Sequence, residues 1–208
     1  MLILFMGPTA SGKSTLVKEV VGCRPSIKQC VRYTTREARS GEVDGVDYNF
    51  IPVIRYSQML EKGEFAEFEE YSGERFYATS FASLQAAAKE DVCSTITPSG
   101  LVQLCSSGKD FGTILLFNCK CPLREQILRY VQRTPTFTVN DKMEMCDRLA
   151  RDEGMFKGVD SIIKAMPNVY AGKFISVDLS MLQSVSMCRR IVLETIDSQN
   201  NSSEEHNK

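Results

Sequence analysis

The segment Gly7-Pro8-Thr9-Ala10-Ser11-Gly12-Lys13-Ser14 constrains this chain more than any other, because it follows directly on the apolar run Leu2-Ile3-Leu4-Phe5-Met6. Glycines at the start and near the end of such a loop let consecutive backbone N–H groups turn toward one anion. Lys13 then reaches β- and γ-phosphate oxygens, and the Ser14 hydroxyl can hold Mg²⁺. Residues 15–21 read as a helix whose positive dipole end would point at the same anion. Strand, loop and helix come in the order a phosphate cradle needs, and a nucleoside triphosphate is the first expected ligand.

Alternation of apolar and polar stretches beyond this point predicts more of the same layering. Strands are expected at 29–33, 92–96, 113–117 and 173–177, with aromatic-rich strands at 48–53 and 65–71. Helices are expected at 54–62, 80–89, 98–106 and 122–133, after Asn140-Asp141 as an N-cap and on through Arg148 and Arg151, and at 182–196. Strands alternating with helices imply a mostly parallel α/β sheet with the phosphate loop at the carboxyl end of its first strand. Residues 197–208 lack an apolar pattern and read as a disordered tail.

The 208 residues suffice for one domain with an embedded smaller lobe. A formal charge of -1 offers no basic excess for a nucleic-acid backbone, so no nucleic acid is expected as a partner. No run approaches the ~20 apolar residues of a membrane span, and the apolar start is interrupted too early for a secretory signal. A cytoplasmic protein without a membrane partner, monomer or homodimer, is expected. The eight cysteines contain no C-x-x-C pair; Cys119 and Cys121 would share a strand face but have no second ligand pair, so small buried thiols are the expectation. His206 is the one histidine, which excludes histidine-based triads and acid–base schemes. Chemistry must rest on lysine, arginine, carboxylates and a metal.

A second segment carries the other half of the reading. Arg36 and Arg39 lie three apart on a polar loop, so two guanidinium forks can converge on one phosphate monoester, with Tyr48 and Tyr77 as added hydroxyl donors. The stretch 34–50 satisfies T-T-R-x-x-R-x-G-E-x-x-G-x-D-Y-x-F throughout, and Gly63-Glu64-Phe65-Ala66-Glu67, Tyr71-Ser72-Gly73 and Tyr77-Ala78-Thr79-Ser80 follow it. Together these blocks resemble the guanylate kinase family, most strongly over residues 1–80.

The resemblance implies a P-loop NTPase-type parallel sheet core, a small mixed β/α monophosphate-binding lobe at about 33–80 and a helical lid at about 129–151, in one domain over 1–196. It implies transfer of the γ-phosphoryl group of ATP to GMP or dGMP, with Mg²⁺ as cofactor. By it, ATP would be bound by Gly7, Pro8, Thr9, Ala10, Ser11, Gly12, Lys13, Ser14 and Thr15, with Ser14 toward the metal. The monophosphate would be bound by Arg36, Arg39, Tyr48, Glu67, Tyr77, Thr79 and Thr97. The catalytic cations would be Lys13, Arg129, Arg133 and Arg148, and Glu67 would accept from N1–H and N2–H₂ of guanine.

Five positions depart from the family pattern. Thr95 and Thr97 stand where an acidic pair is usual, one acid for the metal and one for guanine. Arg32 or Tyr33 stands where a serine near the base is usual, Ala78 replaces a glycine, and Val177 falls where an asparagine is common. These changes keep two further readings open: a kinase with a shifted base preference, and a non-catalytic binding module of guanylate kinase type.

Overall fold

The computed structural model describes residues 1–71, 75–85, 89–132, 137–169, 174–178 and 184–205. Five strands form a parallel sheet: β1 (Leu2–Met6), β2 (Lys28–Gln29), β7 (Val92–Ile96), β8 (Ile114–Asn118) and β9 (Phe174–Asp178), in the order β2-β7-β1-β8-β9. Every residue of β1 and β8 is buried, the mark of parallel strands covered on both faces. Leu2, Leu4 and Met6 pack with α4 (Pro98–Ser106) and α7 (Val159–Val169). Ile3 and Phe5, one residue out of phase, pack with α1 (Lys13–Cys23) and α8 (Val185–Glu205). Phe5 stacks on Phe117 with ring centroids 5.2 Å apart. Met6 is in register with Ile96 on one side and Asn118 on the other, so three strands end at one level and the phosphate loop leaves between two neighbours.

The smaller lobe is a second sheet of β3 (Tyr33–Thr34), β4 (Asn49–Phe50), β5 (Phe65–Tyr71) and β6 (Arg75–Ser80), ordered β4-β3-β6-β5. Helix α2 (Val53–Glu61) closes its core: Tyr56 lies 5.0 Å from Phe65 and 4.8 Å from Phe76, centroid to centroid. The remaining helices are α3 (Phe81–Gln85), α5 (Leu123–Gln132) and α6 (Val139–Phe156). Among the described residues no helix is long and apolar enough to cross a membrane.

The structure departs from the sequence reading at six places, one of them β6, which was not expected as a strand. The run 29–33 is two strands, one in each sheet, with Arg32 at the crossing. The run 48–53 is a two-residue strand that turns at Pro52 into α2. Helix α6 is capped by Thr138, whose hydroxyl and Asp141 form a reciprocal capping box, so Asp141 is the third helical residue and not the cap. Helix α7 was not anticipated. Helix α8 runs through the stretch expected as a tail as far as Glu205, and Asp197 on it takes both ends of the Arg24 fork, at 2.5 and 3.0 Å.

Candidate active site

The loop after β1 is shaped by two glycines. Gly7 has φ +155, and a Cβ there would collide with the Cys119 carbonyl oxygen, so only hydrogen fits between the loop and the residue that follows β8. Gly12 enters α1 with φ +97. The loop closes around Lys13, whose Nζ donates to the Gly7 carbonyl at 2.6 Å and the Pro8 carbonyl at 2.7 Å. Arg129 from α5 reaches over the same loop and donates to the Ala10 carbonyl at 3.4 Å.

One partner of the loop carries no signal in the sequence. The Thr9 N–H donates to Asp152 Oδ2 of α6, and Asp152 is only 4% exposed. A carboxylate thus sits on a backbone amide of the kind that binds phosphate.

Opposite the loop, Arg36 is held by Glu42, with Nη1 at 2.6 Å from Oε2 and Nη2 at 2.7 Å from Oε1, and its guanidinium lies 4.9 Å from the centroid of the Tyr48 ring. The backbone N–H of Arg39 donates to the same Glu42 at 2.8 Å, while the Arg39 side chain is exposed and has no ion-pair partner among the described residues. Arg148 of α6 is buried, 2.9 Å from Glu144, which also holds Arg75 at 2.7 Å. Tyr77 measures the field these cations make. Burial alone would raise its phenol, yet Arg148, Arg36 and Arg39 together hold it below the ordinary tyrosine value.

Both sets of groups face one cavity of about 380 Å³. Gly7, Thr9, Ala10, Gly12 and Lys13 to Thr15 line it on the loop side, with Arg129 and Asp152. Arg36, Arg39, Tyr48, Tyr71, Tyr77 and Arg148 line the other. Thr95 and Thr97, from the end of β7 and the cap of α4, form the floor, where the Thr97 hydroxyl accepts from the Gly100 N–H at 3.1 Å. An adjoining cavity of about 210 Å³ shares Ser14, Arg32, Arg36, Arg39, Tyr48 and Thr95.

The sequence-derived site residues are therefore largely brought together, with exceptions. Pro8 and Ser11 shape the loop without lining the cavity. Glu67 and Thr79, expected against the base, line neither cavity: both are buried behind Arg32, which does. Arg133 lies outside the described residues. Arg32, Tyr71, Thr95 and Asp152 are among the lining residues the sequence reading did not place in the site; Arg32 was noted there only as one of two bulky side chains at a serine position.

No group of three His, Cys, Asp or Glu suited to a metal occurs among the described residues. Side-chain oxygens that line the cavity include those of Thr9, Ser14, Thr15, Thr95, Thr97 and Asp152. All eight cysteines are free thiols, with Cys30, Cys93, Cys105 and Cys119 buried.

The family model described as guanylate kinase matches residues 1–99. A guanylate kinase of Geobacter metallireducens is 43% identical over 84 residues, 40% of this chain and 41% of that protein. One from Clostridioides difficile is 38% identical over 106 residues, 50% of this chain and 51% of that protein. One from Maricaulis maris is 32% identical over 145 residues, 68% of this chain and 66% of that protein. The chain thus matches about half the length of the first two of these relatives. In three dimensions it is similar to the crystal structure of guanylate kinase from Anaplasma phagocytophilum, with a TM-score of 0.57 at 15% identity over 96% of this chain and 85% of that one. Over residues 1–99 the chain matches the guanylate kinase family by sequence, and over nearly its whole length it shares the fold of the Anaplasma phagocytophilum protein.

Proposed function

We propose that the chain is an ATP-dependent kinase that moves the γ-phosphoryl group to a purine nucleoside monophosphate, GMP or dGMP first among them. The observation that carries this is the pairing of two cationic anion sites across one cavity, the Lys13 loop on one wall and Arg36, Arg39 and Arg148 with three phenols on the other. Phosphoryl transfer between two phosphorylated substrates needs little else, because positioning and charge stabilisation supply most of the rate.

Lys13 and the loop amides would hold the donor phosphates. Arg39 and Arg36 would fix the acceptor phosphate, and Arg148 and Arg129, from the two lid helices, would approach the transferring group from opposite sides. Mg²⁺ bound with ATP would neutralise charge on the phosphate oxygens, and the oxygen donors Ser14 and Thr95 suit such a hard cation. ADP formation from ATP and Mg²⁺ is the test, with each of GMP, dGMP, AMP, dTMP, UMP and CMP as acceptor. Turnover with a purine monophosphate supports the reading. Nucleotide binding without turnover for any acceptor would favour a binding module.

Asp152 adds a prediction. Its carboxylate holds an amide that the donor phosphates would use, so like charges compete for the loop. Asp152→Ala is expected to tighten binding of a non-hydrolysable ATP analogue by about tenfold, the worth of one charge-assisted hydrogen bond. Isothermal titration reads it directly. Weaker binding by the variant would show that Asp152 helps to hold the nucleotide and its metal instead.

A further inference from the structure

Arg32 and Glu67 form a buried ion pair, with side chains 9% and 1% exposed and Nη2 at 2.7 Å from Oε1. Arg32 Nε donates to the Thr79 hydroxyl at 3.2 Å, and that hydroxyl donates to the same Glu67 oxygen. Oxygen Oε1 is therefore saturated by two donors. The other oxygen, Oε2, has no hydrogen-bond partner and faces the first turn of α4, where a Cβ on Gly100 would stand 2.7 Å from it. Glycine at 100 leaves that carboxylate its space.

The consequence for a bound base is a change of sign. Drawing Glu67 out to read N–H groups would strand a buried guanidinium, and breaking a buried pair is strongly unfavourable. Glu69, also buried, is likewise absent from the cavity wall, and Asp152, the one carboxylate lining the larger cavity among the described residues, is held at Thr9. What lines the cavity is Arg32. Of its five N–H groups two are used by Thr79 and Glu67, and the two on Nη1, an atom that is not sealed from solvent, remain as donors. A donor wall suits the O6 and N7 acceptors of a 6-oxopurine and repels the 6-amino group of adenine. The carboxylates that line the two cavities are already engaged, Asp152 at Thr9, Glu42 at Arg36 and Asp47 at Lys18, so the 2-amino group of guanine meets no free one.

We infer that Arg32 is the base-specificity residue of this site: it selects a 6-oxopurine through O6, and the site is indifferent to the 2-amino group, so hypoxanthine and guanine monophosphates are accepted alike. The inference rests on the kinase reading above for its setting, and binding separates the two. GMP, IMP and AMP are titrated calorimetrically into the full chain, and turnover of each with ATP and Mg²⁺ is followed in parallel. A site that reads an N–H group through a buried partner rejects the analogue lacking it by about 10⁴-fold. Here the GMP-to-IMP affinity ratio is expected to stay within about tenfold, with AMP at least about a hundredfold weaker.

A larger GMP-to-IMP ratio, AMP binding comparable to GMP, or no monophosphate binding at all would each overturn it. Absence of turnover with the expected binding pattern would defeat the kinase reading and leave the base inference standing. Arg32→Ser, which releases Glu67 toward the cavity, is expected to raise the GMP-to-IMP ratio at least about tenfold. An unchanged ratio in a folded variant would also overturn the assignment. Where that variant does not fold, the ratio in the unaltered chain decides alone.

Discussion

Lys13→Ala is expected to lower kcat by about 10²- to 10³-fold or more, the cost of deleting one preorganised charge donor from a transition state, while the chain stays folded. The ammonium is already seated: it donates to the Gly7 and Pro8 carbonyls at 2.6 and 2.7 Å, at the mouth of the loop and on the wall of the main cavity. Because the lysine is preorganised there, it needs little rearrangement to meet a β- or γ-phosphate oxygen, and its charge counts most as charge shifts onto the leaving group.

The fold does not depend on it in the same way. The loop shape is imposed by Gly7 against the Cys119 carbonyl, by Gly12, and by an α1 whose Leu16, Val17 and Val20 are buried. Single-turnover kinetics with ATP, Mg²⁺ and GMP, beside a circular-dichroism melt, reads both halves. Unaltered turnover would remove the loop from the mechanism. A collapsed melt would show Lys13 to be structural.

How much of this was legible beforehand depends on whether the information is local. The β1, loop and α1 unit was readable because its signal is contained in about twenty consecutive residues, and the structure forms it as a buried strand, a glycine-shaped loop and a helix. The start of α4 was readable for the same reason, since Thr97-Pro98 places a hydroxyl cap before a residue suited to a first turn. The run 29–33 was not. Its residues have strand character throughout, but nothing local says that Lys28–Gln29 pairs with β7 while Tyr33–Thr34 pairs with β6.

Charged residues were the least legible. Arg32 and Asp152 look like surface residues in sequence, and their roles come from partners 35 and 143 positions away. Glu67 shows the limit of a motif. Its letter fits the family, yet the substitution at Arg32 turns its carboxylate into a buried counter-ion, and a motif read one residue at a time cannot register that coupling. The α6 cap is the opposite case: the T-x-x-D spacing of Thr138 and Asp141 is present in the sequence, but the cap was placed at Asn140-Asp141 without regard to it.

Arg39→Ala is expected to raise the KM for the monophosphate by about 10- to 100-fold, the worth of a charge-assisted hydrogen bond to phosphate, with the KM for ATP unchanged and kcat little altered. The case rests on what each arginine does in the empty site. Arg36 is already committed to both oxygens of Glu42 and is packed against Tyr48, so replacing it would unpair a carboxylate that also accepts from the Arg39 backbone and would disturb the loop itself. Arg39 contributes only backbone groups to that arrangement, its N–H to the Glu42 carboxylate and its carbonyl to the Glu42 N–H. Its guanidinium is exposed, lines both cavities and helps to lower the Tyr77 phenol. Removing it therefore subtracts a phosphate contact without dismantling the loop. The acceptor phosphate keeps much of its charge through the reaction, so its contact to Arg39 is similar in ground and transition states, and such uniform binding appears in KM and not in kcat. Steady-state titration of each substrate at saturating levels of the other makes the distinction. Equal increases in both KM values would mean that Arg39 serves the shared cavity and not the acceptor phosphate, and a fall in kcat alone would move it to the transferring group.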